Sequence, residues 1–189
     1  ASGVQRVDPN TTNEVNTKWD IKDVNISVAS MVQSLDTHRL AQSNPPKVIL
    51  VLEVKKNYVY ERGIDTKAIT DSIVTALLKT GKYRVLAEKD MRSAIQDELD
   101  EKKRRENPDA AEAEDGELFS LDNIKKYKSK VGTDLVMYGD LTGIEKKASG
   151  VRDVSYQITL KLVDVESETI EWQDEKQIRK QQEKGVFGW

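Results

Sequence analysis

The sharpest hydrophobic pattern in the chain lies in its C-terminal third. There Val154, Tyr156, Ile158, Leu160 and Leu162 alternate with Ser155, Gln157, Thr159 and Lys161. A period of two puts the apolar side chains on one face of a strand and the polar ones on the other. Residues 132–141, just upstream, are rich in β-forming residues and bounded by glycine. Downstream, the polar turn Glu166-Ser167-Glu168 leads into Thr169–Gln173, where Ile170 and Trp172 are expected to share a face. Three consecutive strands with short connections predict an antiparallel meander with one wet face and one that needs cover.

The upstream pattern supplies that cover. Val24, Val28, Met31, Val32 and Leu35 fall at spacings of three and four, which predicts a helix from about Trp19, with Asp20 and Asp23 near its start. Asn44-Pro45-Pro46 closes this unit, because proline cannot donate to a helix. The nearly continuous apolar run Lys47–Val54 fits a central strand buried on both faces. Residues 55–63 read as a loop. Asp65 is then placed to cap a second helix with Ile69, Ile73, Ala76 and Leu77 as its buried stripe and Gly81 as its left-handed stop. A short strand (Tyr83–Leu86) and a third helix from about Glu88, carrying Met91, Ile95 and Leu99, follow. The charged segment 101–117, broken by Asn107-Pro108 and Gly116, reads as a helix extension that turns into a surface loop. Ser120 suits the cap of a fourth helix whose Leu121, Ile124, Tyr127 and Val131 face inward, ended by Gly132.

This order predicts an α+β domain: a mixed sheet of about five strands with a C-terminal antiparallel meander and helices mainly on one face. The apolar row from Val154 to Leu162 is expected to pack on helices 65–79 and 120–131. Residues 1–17 read as a polar N-terminal tether, 18–180 as one domain and 181–189 as a flexible tail.

Composition removes several kinds of chemistry. Charged residues make up 33% of the 189, yet the net charge is only −3 and the signs are interspersed. That balance exerts no general pull on nucleic acid. The cluster Lys102-Lys103-Arg104-Arg105 is flanked by acids and fits a solvated helix surface. With no cysteine, disulfides and thiol chemistry are excluded. The one histidine, His38, stands beside Arg39 at the end of the first helix, and no Gly-x-Ser-x-Gly elbow accompanies it. Thr80-Gly81-Lys82 has the wrong context for a phosphate loop and reads as a helix stop. Asp134 and Asp140, the carboxylates nearest to apolar surroundings, fit strand ends. We therefore expect no catalytic, cofactor-binding or metal-binding residues, and no cofactor.

Binding is better represented. Tyr58, Tyr60 and Arg62 crowd one loop beside the central strand, and tyrosine and arginine dominate interface hot spots. An equally simple reading folds the two tyrosines over the sheet edge. Phe187 and Trp189 in the tail can insert into a partner or hang free.

The order of short motifs resembles the LpoB family, outer-membrane lipoproteins that activate bifunctional penicillin-binding proteins, the peptidoglycan synthases. The residues concerned are Trp19-Asp20, Val48–Val51 with Asn57, Ile64-Asp65-Thr66, Leu77–Leu86, Val131–Gly139, Leu160–Asp164 and Ile170-Glu171-Trp172. They span roughly residues 19–180. The arm Val4–Thr12 is similar to the segment that follows the lipidated cysteine in many members. The resemblance implies a fold related to the N-terminal domain of TolB, a lipid anchor preceding this sequence, a periplasmic location at the outer membrane, and a synthase as partner. The sequence departs from the family at two points. Glu168 stands where the turn before the last strand usually has glycine. About 18 residues precede Trp19, where the best-known members carry a long proline-rich linker. The shorter reach keeps an alternative open, an outer-membrane envelope scaffold that binds other lipoproteins or appendage components.

Overall fold

The computed structural model describes residues 21–57, 65–89, 92, 96, 100–101, 104–106, 120–126 and 132–183. Its elements in chain order are α1 (Ile21–Asp36), a 3-10 turn (Arg39–Gln42), β1 (Val48–Val51), β2 (Lys55–Lys56), α2 (Thr66–Thr80), β3 (Arg84–Ala87), α3 (Leu121–Lys126), β4 (Leu135–Ala148), β5 (Val151–Asp164) and β6 (Ile170–Glu183). Between β3 and α3, residues 88–89, 92, 96, 100–101 and 104–106 are helical, where the sequence predicts a helix from Glu88. Met91, Ile95 and Leu99, like Tyr127 and Val131, lie outside the described residues.

One mixed sheet holds the chain together in the order β3-β1-β4-β5-β6, with the two-residue β2 paired to β4. β1 runs parallel to both β3 and β4. β4, β5 and β6 form the antiparallel meander, each 14 residues long. The α+β class and the C-terminal meander thus stand as the sequence patterning predicts.

α1 and α2 cover one face of the sheet. Val24, Val28, Met31, Val32 and Leu35 of α1 and Ile69, Ile73 and Leu77 of α2 pack with Ile49, Val51, Leu135, Met137, Leu141, Tyr156, Ile158, Leu160 and Leu162. Tyr156, Ile158, Leu160 and Leu162 are all fully buried, as the period of two requires. The Val154 side chain lies outside the described residues. The other face carries a smaller cluster of Leu50, Ile124, Val136 and Val165. Ile124 of α3 belongs to that second cluster. The expectation that helix 120–131 packs on the Tyr156–Leu162 row is therefore wrong, and topology gives the reason. Parallel crossovers are right-handed. From β1 to β3 the chain steps one way across the sheet, with α2 above it. From β3 to β4 it steps back past β1, so a right-handed return must carry α3 below.

Local chemistry fixes the ends of these elements. Asp65 accepts from the amides of Lys67 (3.0 Å) and Ala68 (3.3 Å), capping α2 as its position suggests. Gly81 ends α2 at φ 67°, a left-handed conformation that costs an L-residue with a Cβ about 1–2 kcal/mol. Ser149 and Gly150, both at positive φ, close a two-residue hairpin between β4 and β5, consistent with a type I′ turn. Residues 144–148 consequently belong to β4. Charged residues at the solvated end of a long hairpin weaken its alternation, and the turn signal shrinks to Ser-Gly.

Three further expectations need correction. Lys55 and Lys56, assigned to a loop, form a sixth strand opposite Asp140 and Leu141. Two exposed lysines carry no hydrophobic signal for a strand. Ile170 does not share the buried face of Trp172. The ladder shifts between Leu162 and Val163, so Trp172 lies opposite Leu162 while Ile170 lies opposite Val163, leaving Ile170 exposed. The irregularity places one extra residue between them and breaks the period of two. His38 lies beyond the end of α1, and its Nδ1 accepts from the Leu40 amide at 3.2 Å to cap the 3-10 turn.

Candidate binding face

At the C-terminal end of β1 the strand bends. Leu52 N–H still donates to the Met137 carbonyl (3.1 Å), after which Val54 passes over Gly139. A Cβ on Gly139 would stand 2.9 Å from Val54 Cγ2 and 3.2 Å from Leu160 Cδ2, so only glycine permits this crossing. The Val54 amide, turned off the ladder, donates to Thr70 Oγ1 (3.0 Å), which in turn donates to the Thr66 carbonyl (2.8 Å). The chain then rejoins β4 as β2. Asn57 marks its last described residue, with its amide on the Leu141 carbonyl (2.9 Å) and Nδ2 at 3.4 Å from Asp140 Oδ1.

Tyr58, Tyr60 and Arg62 follow at once and lie outside the described residues. What is described is the chain on either side of them. On one side stand Lys55, Lys56 and Asn57, all exposed and fixed to β4. On the other stands Asp65 at the start of α2. Below, Glu53 donates its amide to Glu88 Oε2 (2.7 Å) and its Oε1 lies 3.5 Å from Thr66 Oγ1. The rim therefore mixes two lysines with carboxylates and an amide. Such a rim offers hydrogen-bond donors, acceptors and charges of both signs and has no concentrated charge.

The residues weighed for chemistry have structural employment. Asp134 Oδ2 accepts from the Val48 amide (2.9 Å), fastening the start of β1 to β4. Arg105 donates to Glu101 Oε1 at 2.9 Å, an i,i+4 pair on a helical surface, and Lys102 and Lys103 lie outside the described residues. Phe187 and Trp189 also lie outside them. Burial pushes the Tyr83 hydroxyl up to about 12, with the Asp36 charge adding to the effect. That hydroxyl is committed to the Leu35 carbonyl (2.8 Å) at the end of α1. The Tyr138 hydroxyl is also raised by burial. Lys161 Nζ lies 5.4 Å from the centre of its ring, on the α3 side of the sheet. Among the described residues no group of three or more His, Asp or Glu is placed to hold a metal ion. No described helix is long and apolar enough to cross a membrane.

Sequence reasoning missed one concavity. An open groove of about 470 Å³ runs between α1 and α2, lined by Asn25, Val28, Ala29, Ser72, Thr75 and Ala76 among others. Small residues at the contact of the two helices make it. The run Ala-Ser on α1 and the Ser-x-x-Thr-Ala spacing on α2 were the available signal.

The structure is an α+β domain in which the residues after its central strand, Lys55 to Asn57, are fixed to β4 amid mixed charge. The sequence matches the family model described as peptidoglycan-synthase activator LpoB over residues 23–178, from α1 into β6, and the chain belongs to that family. It is a family of envelope lipoproteins that act as activators of peptidoglycan synthases. Among solved structures, the LpoB C-terminal domain from Salmonella enterica has a TM-score of 0.56 at 14% identity, with 82% of this chain and 98% of that one covered. The LpoB C-terminal domain from Escherichia coli has a TM-score of 0.53 at 16% identity, with the same coverage. At these identities the structures establish the shared fold. No curated protein sequence matches the chain.

Proposed function

We propose that this domain is a non-enzymatic activator that binds a bifunctional penicillin-binding protein and raises its glycan polymerisation. The observation that carries the reading is the family match across residues 23–178, nearly the whole folded unit. The domain would face the periplasm, held at the outer membrane by a lipid anchor. Binding more tightly to the active arrangement of the synthase shifts its population, and activation requires nothing more.

Within this reading the contact is the loop bearing Tyr58, Tyr60 and Arg62. Two aromatics supply contact area, and a guanidinium supplies two parallel hydrogen bonds to a carboxylate. The fixed ends at Asn57 and Asp65 support this choice, since a short loop held at both ends loses less freedom on docking. A pull-down from envelope extract tests partner and contact together. A synthase should be recovered, and the Tyr58→Ala/Tyr60→Ala variant should recover at least about tenfold less, the loss of one hot spot. Recovery of outer-membrane lipoproteins or appendage components with no synthase would overturn activation in favour of an envelope scaffold.

A further inference from the structure

β6 is the last strand of the sheet, and among the described residues no strand pairs with its outer edge. Alternate residues along its 14-residue length therefore turn backbone donors and acceptors outward, with the Glu175 amide turned onto Asp174 Oδ1 (2.8 Å). Proteins blunt such edges with charge, and β6 is highly charged, but its charges are sorted. Glu171, Asp174 and Glu175 come first, followed by Lys176, Arg179 and Lys180, with Glu183 at the end. Antiparallel pairing reverses direction, so a strand sorted in this way meets opposite charge in a copy of itself.

We propose that the outer edge of β6 pairs antiparallel with β6 of a second copy of this chain, with Gln177 on the two-fold axis. Asp174 then stands opposite the partner's Lys180, and Glu175 opposite the partner's Arg179. Symmetry repeats both pairs. The offset is even, so residues whose N–H and C=O point outward meet residues of the same kind, as an antiparallel ladder requires. Glu171 falls opposite the partner's Glu183, a like-charge pair at the seam's ends that the Arg39–Glu171 ion pair relieves.

A second observation falls at the same point. Ile26 of α1 is 57% exposed and lines a shallow groove with Ser30, Lys176 and Gln177. An axis through Gln177 and perpendicular to the sheet keeps α1 of both copies on one face, flanking the seam. The groove and its symmetry mate then adjoin, which brings Ile26 of the two copies toward the seam. The pairing joins two sheets into one and leaves β1 and β2 away from the seam in each.

Sedimentation of the full chain tests the proposal. The protein should dimerise at tens of micromolar. Glu175→Lys and Arg179→Glu should each raise the dimer dissociation constant about tenfold, because each turns two attractive pairs into repulsive ones. The double variant should restore the dimer. The absence of native cysteine permits a geometric check. Opposed residues on the axis have Cα atoms about 4.5–5.5 Å apart, within disulfide reach, so Gln177→Cys should give a crosslinked dimer on mild oxidation. Gln173→Cys, whose opposite residue is the partner's Gln181, should not. A monomer at all concentrations would overturn the proposal. So would a dimer indifferent to both single charge reversals, or one in which the two cysteine variants crosslink equally.

Discussion

Glu168 holds φ at 61° in the turn between β5 and β6. The turn tolerates this because Asp164 organises it: its Oδ1 accepts the amides of Glu166 and Ser167, each at 2.9 Å. The Glu168 amide closes the turn on the Asp164 carbonyl (2.9 Å). A Cβ in the left-handed region still carries a penalty that glycine escapes. Glu168→Gly should therefore stabilise the domain by about 1 kcal/mol, less the extra freedom glycine gives the unfolded chain. The urea midpoint measures this, and a fall in the midpoint would show that the Glu168 side chain makes a compensating contact. Tyr83 makes a different kind of prediction. Its folded value, about 12, lies above the ordinary 10.0. The unfolded chain therefore gives up the proton first as pH rises. The contribution of the neutral hydroxyl is complete below pH 10 and is lost as pH climbs through 12. Tyr83→Phe should lower stability at neutral pH by about 1 kcal/mol and should flatten the alkaline decline. Denaturation midpoints at about pH 9 and about pH 11 separate these effects. An equal decline in both proteins would mean that the hydroxyl is not buried in solution.

At the scale of elements, β5 carries the core. Leu160 is fully buried in the core cluster that α1 and α2 share with the sheet, and its Cδ2 would stand 3.2 Å from a Cβ on Gly139. Leu160→Asp buries an unpaired charge and should cost at least about 3 kcal/mol, a Tm fall of roughly 10 °C in a domain of this size. Thermal unfolding checks it, and an unchanged Tm would mean that the register is wrong. This row was legible in the sequence because half-buried strands alternate and β5 obeys that rule over a long run. α2 was legible for a related reason, since Asp65 and Gly81 mark its two ends chemically. Other features were hidden. β2 consists of two exposed lysines whose pairing depends on backbone alone. The placing of α3 depended on strand order, which periodicity does not encode. Ile170 and Trp172 were separated by a bulge, and a bulge leaves no hydrophobic signature. Of the candidate site, Tyr58, Tyr60 and Arg62 lie outside the described residues, and what was legible is their place in the sequence just after the central strand. The fastening of β1 and β2 was not legible, because Thr70, Gly139 and Asp140 lie far from them in sequence and meet them only through the fold.

As a whole, the molecule separates its tasks by region. α1 and α2 with the meander's inner face make the larger core, and α3 closes the smaller one. The loop we assign to the synthase follows β2 in the sequence, while the outer edge of β6, across the sheet from β2, is the surface we assign to a second copy. Mutations at one surface should leave the other unaffected, because no described contact joins them. The central claim is activation of a synthase, and its most direct measurement is the rate at which a purified bifunctional penicillin-binding protein polymerises glycan chains with and without this protein. The rate should rise with added protein and saturate, and Tyr58→Ala/Tyr60→Ala should abolish the rise while unfolding at the same temperature as the parent. A rate that stays unchanged at saturating protein would contradict activation.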